Sequence, residues 1–153
     1  KKMHDGYCDA MVMATAGLQR LGFDNYISQI IDSNIMLPAV SQGIIGIECR
    51  SGDSEILEIL SKINHQLTWI SAIVERTFLH QMQGGCQLPL GCISSISENK
   101  LSITACISTV DGTDMLHFSE EGNILNPIEI GKNLASKFYK AGAERILNTI
   151  KND

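Results

Sequence analysis

Cysteine and arginine are the residue types here that could do chemistry beyond packing. The five cysteines are Cys8, Cys49, Cys86, Cys92 and Cys106, and the arginines are Arg20, Arg50, Arg76 and Arg145. An odd cysteine count without a CxxC pair argues against a disulfide framework and for a reducing compartment. Cys86 and Cys92 are six residues apart with no histidine pair nearby, so no metal site is expected. Cys8, Cys49 and Cys106 lie in apolar runs and read as small buried hydrophobes. Cys86 is different, because it sits in Gln83-Gly84-Gly85-Cys86-Gln87-Leu88-Pro89-Leu90-Gly91. Two glycines before it permit positive φ and close approach by a bulky group. Its local context leaves three roles open: a structural loop cysteine, a covalent anchor or a nucleophile. It follows the end of a predicted helix, where the dipole disfavours a thiolate, so an anchor suits the site better than a turnover nucleophile.

The elements that must position these residues read as follows. Cys8–Ala14 is an apolar run without a helix cap, expected as a buried strand. Thr15–Gly22 reads as a helical turn stopped by Gly22, with a further short helix at Tyr26–Ile31. Gly43–Arg50 reads as a second strand, and Asp53 or Ser54 caps a helix running to Ile63. A longer helix starts at Asn64 or His65, carries Glu75 and Arg76, and ends at Gly84-Gly85. Strands follow at Leu88–Ser97, Leu101–Val110 and near Met115–Ser119, with turns at Glu98-Asn99-Lys100 and Asp111-Gly112. Pro127 opens a helix to about Ala141, Gly142 breaks it, and Ala143–Lys151 is a last helix.

The second half is therefore helix, three antiparallel strands, helix, which is an α+β unit able to fold alone. The first half offers two strands with no partner for either, and strands do not leave their ladders unpaired. Residues 1–63 thus read as parts of domains whose remainder lies elsewhere; a start without Met agrees. The net charge is −5, from 12 basic and 17 acidic residues, which argues against nucleic-acid or anionic-membrane binding. Apolar runs such as Ile44-Ile45-Gly46-Ile47 are too short to span a bilayer, and no signal peptide is visible.

The segment Gly84-Gly85-Cys86-Gln87-Leu88-Pro89-Leu90-Gly91 resembles the cofactor-attachment loop of the porphobilinogen deaminase (hydroxymethylbilane synthase) family. Three further segments match in the same order: Asp9-Ala10 through Thr15–Gly22; Leu37–Val40 through Gln42-Gly43 to Gly46–Arg50; and Glu75-Arg76. The resemblance covers nearly the whole chain and implies a C-terminal half of a three-domain α/β and α+β protein. Residues 1–40 would finish the second domain, 41–63 would be a return strand and helix of the first, and 64–153 the third.

The activity implied is stepwise head-to-tail condensation of porphobilinogen with loss of ammonia, within tetrapyrrole and heme biosynthesis. The product is a linear tetrapyrrole, hydroxymethylbilane, released by water from a covalently attached dipyrromethane. Cys86 matches the cysteine that holds this cofactor by a thioether. Because each pyrrole carries acetate and propionate, the site needs guanidinium groups, which pair bidentately with carboxylates. The resemblance implies Arg20 as a carboxylate ligand of cofactor and substrate, with Arg50 and Arg76 as further substrate-carboxylate ligands. Arg145 reads as a solvated charge or a weak ion pair. Backbone amides near Ala14, Gly17, Gln42 and Gly43 are expected to bind the cofactor.

No catalytic residue is expected in this half. The family's essential carboxylate lies in the absent N-terminal half, and none of Asp5, Asp9, Glu48 and Glu75 matches it. The partners implied are porphobilinogen, the growing polypyrrole and the N-terminal half, in a cytoplasmic, monomeric whole enzyme without metal. Departures from the family pattern are Ser41 in place of a glycine, Gln83 in place of an acidic residue, Thr15 and Ile44; a Cβ at Ser41 is expected to crowd the backbone or demand a different φ. Two rivals remain: a non-catalytic α+β binding module with an ordinary loop cysteine, and a cysteine hydrolase.

Overall fold

The computed structural model describes residues 3, 5–83 and 88–151. The chain divides into two compact units, 1–32 and 33–153.

In the first unit, α1 spans Thr15–Arg20 and a single 3-10 turn spans Asp24–Tyr26. Gly22 takes φ +71°, and the N–H groups of Gly22 and Phe23 return to the carbonyls of Gln19 and Leu18. That double bond pattern satisfies the last carbonyls of the helix and needs a left-handed residue at the stop, as expected of Gly22. The expected helix at Tyr26–Ile31 is absent beyond the 3-10 turn. The expected strand at Cys8–Ala14 is absent too, and Met11, Val12 and Met13 are exposed. Its backbone finds no ladder within the unit, and an apolar run alone cannot make a strand.

In the second unit, Gly43–Arg50 likewise forms no strand, and Ile45 and Ile47 are exposed. Helix α2, Ser54–Ser61, follows, and the Asp53 side chain accepts from the N–H of Ile56 at its start. No residue of α2 is buried, and Ile56, Leu57 and Ile59 face solvent. Helix α3, Gln66–Gln81, begins at His65, whose ring nitrogen accepts from the Thr68 N–H.

Three antiparallel strands come next, β1 (Leu90–Ser97), β2 (Lys100–Ser108) and β3 (Met115–Asn123), in spatial order β1-β2-β3. The register pairs Leu90 with Ile107 and Ser97 with Lys100, then Lys100 with Asn123 and Ser108 with Met115. Strand β3 runs past the expected Ser119 because Glu120–Asn123, polar and without a legible alternation, still pair with Lys100–Ile103. Helices α4 (Pro127–Lys140) and α5 (Ala143–Lys151) close the unit, separated by Gly142 at φ +88°. Pro127 sits in the first helical turn, where its missing N–H costs nothing.

Alternation along β2 decides which side of the sheet is covered. Leu101, Ile103, Ala105 and Ile107 are buried on the side of the sheet that α4 and α5 cover at β2, while Ser102, Thr104, Cys106 and Ser108 face the other way. Phe78 from α3, Phe138 from α4 and Phe118 from β3 meet at the centre, with ring centroids 5.3 Å apart for Phe78–Phe138 and 5.1 Å for Phe118–Phe138. The two helices approach closely at Gly131. A Cβ there would lie 2.8 Å from the Val74 carbonyl oxygen and 3.0 Å from Thr77 Cβ. Gly131→Ala should therefore destabilise the unit. The cost of overpacking, about 1–3 kcal/mol, outweighs the roughly 1 kcal/mol gained in helix propensity. A lower urea midpoint at unchanged m-value is the expected reading.

Candidate cofactor-anchoring site

Helix α3 organises the site. Glu75 and Arg76 are consecutive, so they point to different sides of it: Glu75 is 6% exposed, and Arg76 faces solvent. After Gln81 the helix ends through buried Met82 and then Gln83 at φ +52°. The Tyr139 hydroxyl of α4 donates to the Gln81 carbonyl at 3.0 Å and so satisfies one of the terminal acceptors. Burial raises the Tyr139 pKa, with the Glu144 charge adding to it. Gly84, Gly85, Cys86 and Gln87 lie outside the described residues. The expected helix stop at Gly84-Gly85 and the anchor at Cys86 fall among them. On the far side the Pro89 carbonyl accepts from Ser108 N–H at 3.1 Å, and Leu88 packs against the core.

Glu75 is the residue that sequence reasoning passed over. Its Oε2 accepts from the Ser41 N–H at 2.7 Å, and its Oε1 accepts from the Ser94 N–H at 3.0 Å and the Ser94 hydroxyl at 2.7 Å. Beside it, the Cys92 N–H donates to the Pro38 carbonyl at 2.9 Å. Cys92 and Ser94 alternate along the free edge of β1, so both outward amides are satisfied without another strand. Gly91 makes room for this: a Cβ there would meet Leu37 Cβ and the Leu37 carbonyl at 2.9 Å. Three of the matching motifs therefore meet in space, through Leu37–Ser41, Glu75 and Gly91. A buried carboxylate in a run of otherwise apolar or polar residues was the available signal; its partners, 34 and 19 residues away, were not.

The cysteines sort differently from expectation. Cys8, Cys49 and Cys106 are only half-buried, because each lies where the expected cover is missing or on the open face of the sheet. The fully buried thiol is Cys92, whose pKa is driven far upward by burial first, then by the Glu75 charge and Cys106. It stays a thiol under any ordinary condition. Among the described residues no group of His, Cys, Asp and Glu is arranged to hold a metal ion.

Of the arginines, Arg20 ends α1 in the first unit and is exposed. Arg50 pairs with Asp53, Nη2 to Oδ2, at 3.0 Å in the open. A substrate carboxylate would have to compete with that exposed partner, which is worth little. Arg20 and Arg76 have no ion pair among the described residues, and Arg145 pairs with Asp114. Two of the expected backbone donors are already engaged: Gly17 N–H donates to the Ala14 carbonyl and Gln42 N–H to the Ala39 carbonyl. Both bonds close local turns of the chain. The Gly43 N–H, at φ +82°, has no such internal acceptor among the described residues.

Residues 69–140 match the family model "Porphobilinogen deaminase, C-terminal domain", and residues 1–58 match "Porphobilinogen deaminase, dipyromethane cofactor binding domain". Among curated relatives, a porphobilinogen deaminase of Prochlorococcus marinus strain MIT 9515 is 40% identical over 150 residues, covering 98% of this chain and 48% of the relative. That of strain AS9601 is 42% identical over 150 residues. That of Nostoc sp. strain PCC 7120 is 40% identical over 149 residues, covering 97% of this chain and 46% of the relative. The chain belongs to the porphobilinogen deaminase family. It spans about half the length of the curated relatives it matches. Cys86 falls within the match to the C-terminal domain of porphobilinogen deaminase, and Arg20 and Arg50 within the match to its cofactor-binding domain. The three-stranded sheet on its helices is the α+β fold of that C-terminal domain.

Ser41 takes φ +58°, a left-handed conformation that is costly for a residue with a Cβ. Its hydroxyl oxygen is buried and has no hydrogen-bond partner among the described residues. Ser41→Gly should stabilise the chain by about 1 kcal/mol, since relief of the left-handed strain and of the orphan hydroxyl exceeds the entropic cost of glycine. An upward shift of the urea midpoint checks it.

Proposed function

We propose that this chain is the cofactor-bearing part of a hydroxymethylbilane synthase, acting together with an N-terminal half. Residues 1–40 complete a second domain, 41–63 return to a first domain, and 64–153 form the third. The observation that carries the reading is the collinear match of nearly the whole chain to porphobilinogen deaminases, with Cys86 inside the matched C-terminal domain. Cys86 would hold a dipyrromethane, which would supply the primer for condensation of porphobilinogen with loss of ammonia and hydrolytic release of the linear tetrapyrrole.

The residues present suit such a group. A dipyrromethane with acetate and propionate arms needs cations that nothing else neutralises, and Arg20 and Arg76 are exposed without ion pairs among the described residues. Cys86 forms the thioether, Arg20 holds cofactor and substrate carboxylates, and Arg76 and Arg50 bind carboxylates of the growing polymer. Backbone amides near Ala14, Gly17, Gln42 and Gly43 bind its carboxylates, the Gly43 N–H having no internal acceptor among the described residues. A thioether needs no thiolate once formed, which suits a cysteine beyond a helix C-terminus. The free thiols at Cys8, Cys49, Cys92 and Cys106 are in keeping with a cytoplasmic setting. No described helix is long and apolar enough to cross a membrane.

The test is intact mass after co-expression with the first half of a Prochlorococcus porphobilinogen deaminase. The chain should gain the mass of two linked pyrroles and give a colour with acid and Ehrlich's reagent, and Cys86→Ser should show neither. A bare polypeptide mass in the assembled protein would overturn the anchor and leave a non-catalytic binding module. Residues 1–153 alone should form no hydroxymethylbilane from porphobilinogen, assayed as uroporphyrin after ring closure. Arg20→Ala in the assembled enzyme should lower kcat/KM at least tenfold, the loss of about 1.4 kcal/mol or more of charge-assisted binding.

A further inference from the structure

We propose that Glu75 is a positioning residue, whose two carboxylate oxygens latch the Ser41–Gly43 turn to the edge strand β1 and so set where that turn presents the Gly43 amide. The geometry divides the work between the oxygens. Oε2 takes only the Ser41 N–H, at 2.7 Å, while Oε1 takes both Ser94 donors, at 3.0 and 2.7 Å. Ser41 stands at the corner of the turn: Gln42 N–H reaches back to Ala39, Ile44 N–H reaches back to Ser41, and Ser41 and Gly43 both have positive φ. Such a turn is strained at a non-glycine corner and persists only where its surroundings hold it. The holding contacts are few. Val40 packs against the core, Pro38 accepts from Cys92, and Glu75 grips the corner itself.

Sequence distance makes the latch more than a local cap. It joins the turn to the helix that leads to Cys86 and to the strand that leaves the same loop. The three donors approach from two segments, and no other described side chain supplies an acceptor to Ser41 N–H. Glu75 therefore acts through the turn and does not touch the reacting atoms. That the presented amide serves a carboxylate of a bound dipyrromethane rests on the function proposed above; the latch does not.

Amide hydrogen exchange on residues 1–153 tests it, with Glu75→Gln and Glu75→Ala compared with the unaltered chain. Glutamine has the same shape but only one acceptor oxygen. It should leave one of the Ser41 and Ser94 amides protected and speed exchange of the other at least tenfold. Alanine should release both, together with Ile44, while the Phe78 and Leu134 amides, in the core, keep their rates under Glu75→Gln. Ser94→Ala, which removes one donor and leaves the charge, should keep Ser41 protected, and it covers the case in which Glu75→Ala does not fold. Unchanged Ser41 and Ser94 exchange in Glu75→Gln would overturn the latch, as would a uniform acceleration that included Phe78 and Leu134. Failure of the cofactor reading would appear in the intact mass and leave these rates untouched.

Discussion

A carboxylate taken out of water is costly unless donors replace the water it loses, and Glu75 is buried with three of them. Hydrogen bonds to a charged acceptor are worth roughly 1.5–3 kcal/mol each, enough together to offset a desolvation penalty of several kcal/mol. The same bonds do two structural jobs. They satisfy the Ser94 amide on the free edge of β1, where an unpaired strand edge would template aggregation, and they fasten the segment before α2 to the sheet. Gly91 and the burial of Cys92 follow from the same close approach, since the chain at Leu37–Pro38 lies against the strand backbone.

The later unit divides into a region that stands by itself and regions that do not. From Gln66 onward, helices α3 and α4 cover one face of a regular antiparallel meander and bury a continuous aromatic and aliphatic core. Ahead of it, Gly43–Arg50 and α2 carry apolar side chains into solvent. Isoleucines in that position contribute nothing to folding until something removes them from water. The chain spans about half the length of the curated relatives it matches.

Much of the C-terminal fold was legible in the residues. Strong periodicity placed α3 and β2, Asp53 declared the start of α2, and Pro127 and Gly142 bracketed α4. The strands expected at Cys8–Ala14 and Gly43–Arg50 were not found, since a run of apolar residues states a preference and pairing requires a neighbour. The internal bonds of the Gly17 and Gln42 amides, to Ala14 and Ala39, were not legible either, because they depend on the backbone conformation the chain adopts there. Glu75 was visible as a residue next to Arg76 but not as a buried one.

By itself the sequence determined where the residues that could do chemistry lie: a cysteine after Gly-Gly, arginines in the matched segments, and a meander held between helices, all set by local pattern and residue type. Only the tertiary structure decided which groups are spent and which are free. Among the described residues Arg50 is paired and Arg76 is not, Cys92 is buried and Cys106 half-buried, and Ser41 is left-handed under the grip of a carboxylate 34 residues away. Burial and hydrogen-bond partnership arise from contacts between distant segments. Local spacing constrains which residues can form them but not which of them meet.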